Sequence, residues 1–80
     1  MLKQNILVMT ISLEGAISDM AYFYGQQMLR IKWKKTQNIY DYYHVPKKVW
    51  QKMLNSDDLQ KSFRSYVRGK YMFKRLRLGM

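Results

Sequence analysis

The sequence contains no cysteine, so disulfide staples, thiolate nucleophiles and thiolate metal clusters are all excluded. It holds one histidine, His44, and five carboxylates, Glu14, Asp19, Asp41, Asp57 and Asp58. Acid–base catalysis needs a positioned proton carrier, and a supply this thin argues against an enzyme. Asp57 and Asp58 are adjacent; on a helix they would point roughly 100° apart and could not converge on one scissile bond. Long apolar runs are missing as well. The longest, Ile6 to Leu13, is broken by Thr10 and Ser12 and is less than half of what crosses a bilayer. Lys3 ahead of it suits a secretory leader, but Glu14 follows directly and Glu14-Gly15-Ala16-Ile17 lacks a small-x-small cleavage site. The expectation is a cytoplasmic protein with no membrane partner, no metal and no cofactor.

What is abundant is positive charge. Fifteen Lys and Arg against five Asp and Glu give a formal net charge of +10, and folding must accept that self-repulsion. An anionic partner is therefore expected. Hydrophobic residues make up 48% of the chain and aromatics 15%, far from the composition of disordered segments, so a packed core coexists with the charge. Eighty residues are enough for one domain and too few to divide, which assigns residues 1–80 to a single unit.

The only proline, Pro46, separates two hydrophobic periods. Ile6 to Ile11 and Ile17 to Tyr24 read as strands, with a turn at Gly25-Gln26-Gln27. From Met28 to Lys34 the alternation is strict: Leu29, Ile31 and Trp33 share one face, and Arg30, Lys32 and Lys34 the other. That basic stripe suits either phosphate or solvent, with Asp41 as a cross-strand ion partner. After the polar turn Lys35-Thr36-Gln37-Asn38, the stretch from Ile39 resumes as a strand with Tyr40 and Tyr42 on one face. Pro46 suits the first position of a helix carrying Val49, Trp50, Met53 and Leu54 on its apolar side. Ser56 can cap a second helix whose apolar residues are Leu59, Phe63 and Val67 and which stops at Gly69, with Asp57 and Asp58 at its positive end. A final strand or extended arm follows. The fold class is thus α+β: a small antiparallel sheet of three or four strands, followed by two short helices packed on one face.

Residues 61 to 80 hold seven Lys or Arg and no acid, with Tyr66, Tyr71 and Phe73 interleaved. Positive charge beside aromatic rings suits phosphates and bases. Arginine is the better phosphate ligand, because its planar fork binds two oxygens and also stacks. The candidate ligand residues are Arg64, Arg68, Lys70 and Lys74 for phosphates, Tyr43 and Tyr71 for stacking, and His44 for a polar contact. The same residues have plainer uses: Phe63, Val67 and Tyr71 in the core, His44 in a turn, and the cations for solubility. Tyr40, Tyr42 and Trp50 are assigned to packing.

The span from Ser12 to Leu76 resembles the KTSC domain, a small module named for its occurrence at the C-terminus of some lysyl-tRNA synthetases. The resemblance rests on Tyr40-Asp41-Tyr42, on Val45-Pro46 followed by Val49-Trp50, on Leu54-Asn55 and Phe63, and on Val67-Arg68-Gly69-Lys70-Tyr71. Upstream, Ser12, Ile17 to Tyr22, Leu29 and Ile31 look like the family's first hairpin. The chain departs from the pattern at Asp58 and Gln60, where Ser-x-Gly is common. The resemblance implies a compact α+β fold and, for synthetase-attached copies, a role in RNA binding. For stand-alone copies in bacteria and their phages it implies capture of cyclic nucleotide signals, in the host cytoplasm if phage-encoded.

Three functions are therefore expected in order. The first is a non-enzymatic binder that sequesters a cyclic oligonucleotide, for which a homo-oligomer would supply duplicated arginine and aromatic contacts. The second is an RNA-binding module acting on tRNA or single strands. The third is a protein-binding adaptor using exposed Met and Tyr residues.

Overall fold

The computed structural model describes residues 8–76. The expected strand start at Ile6, the basic Lys3 and the tail residues Arg77 and Leu78 lie outside the described residues. Strands β1 (Val8–Ser12), β2 (Ile17–Phe23), β3 (Met28–Trp33) and β4 (Ile39–Tyr42) are followed by α1 (Lys47–Leu54), α2 (Leu59–Tyr66) and β5 (Phe73–Leu76). The strands form one antiparallel sheet in the order β1-β2-β3-β4-β5. The class is α+β as expected, but the sheet has five strands rather than three or four. The extra strand is the basic tail, which returns after α2 to pair with β4 through Tyr42 opposite Phe73 and Tyr40 opposite Arg75.

Residues directly opposite in an antiparallel pair share a face, so the register sorts the side chains. One rung runs Met9, Tyr22, Leu29, Tyr42, Phe73, and the next runs Ile11, Met20, Ile31, Tyr40, Arg75. Both helices pack on this face. Trp50 of α1 stacks on Tyr22 with ring centroids 5.4 Å apart. Phe63 of α2 meets the rings of Tyr42 and Trp33 edge-on at 5.3 and 6.2 Å. Ile17, Met20, Leu29, Ile31, Met53 and Val67 complete the buried cluster. Two buried polar groups are satisfied within it: the Tyr22 hydroxyl donates to the Val45 carbonyl at 2.6 Å, and the Trp50 indole donates to the Tyr24 hydroxyl at 3.1 Å. Burial, reinforced by the neighbouring Tyr24, pushes the Tyr22 hydroxyl above its ordinary pKa, so it stays a neutral donor.

The opposite face carries the rung Thr10, Ala21, Arg30, Asp41, Lys74. Asp41 is 3% exposed, which an isolated carboxylate would not tolerate. Arg30 answers it with two bonds, Nε to Oδ1 at 2.7 Å and Nη2 to Oδ2 at 2.9 Å. The guanidinium also lies 5.1 Å from the Phe23 ring centroid. The cross-strand partner expected from sequence is therefore present, and Arg30 is occupied by the fold.

Helix starts differ from expectation by a residue or two. Pro46 sits just before α1, in extended conformation, and its carbonyl accepts from the amides of Val49 and Trp50. The cap of α2 is Asp58, whose Oδ1 accepts from the Lys61 amide at 3.1 Å. Ser56 does not cap α2, because its hydroxyl donates instead at 2.7 Å to the Met53 carbonyl at the end of α1, which also accepts from the Ser56 amide at 3.1 Å. Past α2 the chain turns through Gly69 at φ +80°, a conformation glycine adopts without steric cost.

Candidate functional site

The helices cover β2 to β4 but stop short of β5. Along one rung the burial drops from Tyr42, 4% exposed, to its neighbour Phe73, 53% exposed. The uncovered strip becomes the floor of a groove of about 1010 Å³. Trp33, Tyr40, Tyr42 and Phe73 form the floor. Their rings touch in sequence, with Trp33 to Tyr40 at 6.4 Å, Tyr40 to Phe73 at 5.3 Å and Tyr42 to Phe73 at 5.2 Å between centroids. The tyrosine and indole groups of the core, Tyr22, Tyr24 and Trp50, are hydrogen-bonded internally. Among the described residues Trp33, Tyr40 and Tyr42 make no such side-chain bond.

Two rims flank this floor. One is the β3–β4 turn, which contributes Lys34, Lys35, Thr36 and Asn38. It is held in shape by the Gln37 amide donating to the Trp33 carbonyl at 2.9 Å and the Asn38 amide donating to the Thr36 hydroxyl at 3.1 Å. The other is the end of α2, which contributes Arg68 and Gly69. The Arg68 amide still donates to the Phe63 carbonyl, so the residue is fixed at the helix terminus rather than on a free loop. Burial pushes the Tyr42 hydroxyl above its ordinary pKa, while the charge of Arg68 draws it partway back. The β1–β2 loop closes the groove with Gly15 and Ala16. Among the described residues no carboxylate lines it, and the lining is aromatic below and cationic at the sides.

The structure brings only one of the seven sequence candidates into this groove, Arg68. Arg64 lies one turn earlier on α2 and is exposed. Lys70 is exposed in the turn after Gly69. Lys74 is opposite Asp41 and so stands on the other face of the sheet. Tyr43 follows Tyr42, so its side chain alternates away from the groove, while its amide donates to the Met72 carbonyl at 2.9 Å. Tyr71 packs against the core, and His44 is an exposed turn residue at φ 59°, where histidine is among the enriched residue types.

Trp33, Lys35 and Phe73 are not among the ligand residues expected from sequence, Lys34 is expected only as part of the stripe that suits phosphate or solvent, and Tyr40 and Tyr42 are assigned to packing. Both pack as expected: Tyr42 is in the buried core under Phe63, and Tyr40 packs against that core at the edge of the groove. Lys34 was expected on the outer stripe with Arg30 and Lys32. The strand ends at Trp33, and the turn carries Lys34 to the groove instead. The one available signal was the pattern Trp33-Lys34-Lys35, an aromatic followed by two cations at a strand end.

Among the described residues no helix is long and apolar enough to cross a membrane. No group of three His, Cys, Asp or Glu among them is placed to hold a metal ion.

Among curated proteins, none matches the chain. Among solved structures, the crystal structure of a KTSC domain protein from Yersinia pestis matches with a TM-score of 0.75, over 88% of this chain and 99% of that one. At 18% identity this likeness is one of fold. The family model of the KTSC domain matches residues 14–71, from the β1–β2 loop to the residues just before β5 and well over half of the chain. With that match and the shared fold, the chain belongs to the KTSC domain family.

Proposed function

We propose that the groove binds a phosphate-bearing nucleotide without turning it over, and that the ligand it suits best is a cyclic oligonucleotide signal, which the protein sequesters. The observation that carries this reading is the placement of cations on two sides of an aromatic floor, Lys34 and Lys35 on one rim and Arg68 on the other. A ligand with flat bases flanked by two phosphates matches that order, bases on the rings and one phosphate at each rim. Stacking on an aromatic side chain is worth about 1–3 kcal/mol per base, and a charge-assisted hydrogen bond about 1.5–3 kcal/mol. The groove is at the upper end of the volumes that small ligands occupy, which favours a dinucleotide or trinucleotide over a single nucleotide.

An RNA-binding role is the second reading. It draws on the cations outside the groove, Arg64, Lys70 and Lys74, whose spread over several surfaces suits a long backbone more than a compact ligand.

Calorimetry against a panel of cyclic di- and trinucleotides, with single-stranded RNA beside it, separates the two. Sequestration predicts saturable heat at fixed stoichiometry for at least one cyclic member and little heat for RNA. RNA binding predicts the reverse, with affinity falling steeply as salt rises. No stoichiometric heat from any cyclic member counts the first reading out.

A further inference from the structure

Gln60, in the first turn of α2, is half-buried, and its side chain crosses to the β1–β2 loop. Its Nε2 donates to the Glu14 carbonyl at 2.5 Å, and its Oε1 accepts from the Ile17 amide at 3.2 Å. One primary amide thus satisfies a carbonyl and an N–H three residues apart, as a neighbouring peptide group would. The fit is tight. Gly15, between the two bonded residues, has φ +126°, and a Cβ there would collide with the Gln60 amide nitrogen. The next residue, Ala16, accepts through its carbonyl from the Lys34 amide at 2.9 Å.

We propose that Gln60 is a positioning residue of the groove: by clamping the β1–β2 loop to α2 it fixes the spacing between the rim that carries Lys34 and Lys35 and the rim that carries Arg68. The connection is continuous. Gln60 and Arg68 belong to one rigid helix and its terminus, two turns apart, and the loop that Gln60 holds is in turn bonded to the Lys34 backbone. A carboxylate at position 60 would lack the donor for Glu14, a lysine would lack the acceptor for Ile17, and an asparagine is one methylene shorter. The amide of glutamine meets both demands at this distance. That rim spacing governs ligand affinity rests on the nucleotide reading above; the clamp itself does not.

The test uses Gln60→Met, which keeps length and bulk but makes neither bond, with Lys61→Met as an exposed control on the same helix. Hydrogen exchange should speed up about tenfold at the Ile17 and Lys34 amides, the scale of one lost hydrogen bond, and stay unchanged at the Val45 amide, which bonds to the Gln27 carbonyl on a different part of the sheet. With cyclic di-GMP as the probe, affinity should fall about five- to tenfold in Gln60→Met, the fold-change of that same lost bond, and not in Lys61→Met. Unchanged exchange at Ile17 and Lys34 overturns the clamp whatever the ligand does. Faster exchange with equal probe affinity in both variants overturns the link to binding. Faster exchange with no probe binding by the unmodified protein supports the clamp and counts against cyclic di-GMP as the ligand.

Discussion

Phe63→Ala should cost about 3–5 kcal/mol of folding stability, the usual range for removing a fully buried aromatic ring. Native domains are stable by about 5–15 kcal/mol in total, and one this small buries a modest core, so the variant should be largely unfolded near physiological temperature. The expected size of the effect follows from where Phe63 sits. Its ring is fully buried and supports both Tyr42 and Trp33 from beneath. Removing it leaves a cavity between α2 and the sheet, next to two residues that line the groove. Phe63→Leu refills most of that volume and should cost far less, about 1–2 kcal/mol. Urea unfolding of both variants followed by far-UV circular dichroism checks the pair. A Phe63→Ala protein as stable as the unmodified one would mean that α2 does not hold the sheet as described.

The second large effect concerns binding. Arg68→Ala should lower affinity for the cyclic ligand by about 10- to 150-fold, the equivalent of one charge-assisted hydrogen bond at 1.5–3 kcal/mol. Arg64→Ala and Lys74→Ala should change it by less than about threefold, since exposed charges that touch no ligand act only through screened long-range fields. All three variants should fold, because each side chain is exposed and none is in a salt bridge among the described residues. Equal losses from Arg64, Arg68 and Lys74 would point to diffuse polyanion binding and favour RNA.

The contrast among those cations also shows where sequence reading stops. Periodicity located β1 to β4 and both helices but left the tail open between a strand and an extended arm, because strict alternation such as Met28 to Trp33 and the spacing of Val49, Trp50 and Met53 are properties of single elements. Register and coverage are not. The basic run after Lys61 looks uniform as a string, but the fold sends Arg64 to solvent, Arg68 to the groove and Lys74 to the far face of the sheet. Tyr40 and Tyr42 carry the same signature as buried strand residues such as Leu29 and Ile31. Tyr42 is indeed buried under α2, and only the position of the helices, which leave β5 bare, puts its edge and Tyr40 at the groove. Ser56 shows the same limit locally. Its type suits a cap, but its hydroxyl and amide both turn back to the Met53 carbonyl, and Asp58 takes the role.

The departure from the family pattern at Asp58 and Gln60 acquires a physical content in the same way. Asp58 caps α2, and Gln60 reaches the loop across Gly15. Both substitutions are therefore absorbed by local structure next to the groove, and the second bears on its shape.

The most direct test of the groove as a nucleotide site is a ¹H–¹⁵N titration of the labelled protein with the cyclic oligonucleotide that gives the largest heat. The predicted result is saturable shifts at the Trp33 indole and at the amides of Lys34, Lys35, Arg68, Gly69 and Phe73, with the outer-face residues Arg30, Asp41 and Lys74 unmoved. Shifts concentrated on Lys74, Tyr43 and the outer face, or none at the Trp33 indole at saturation, would contradict it.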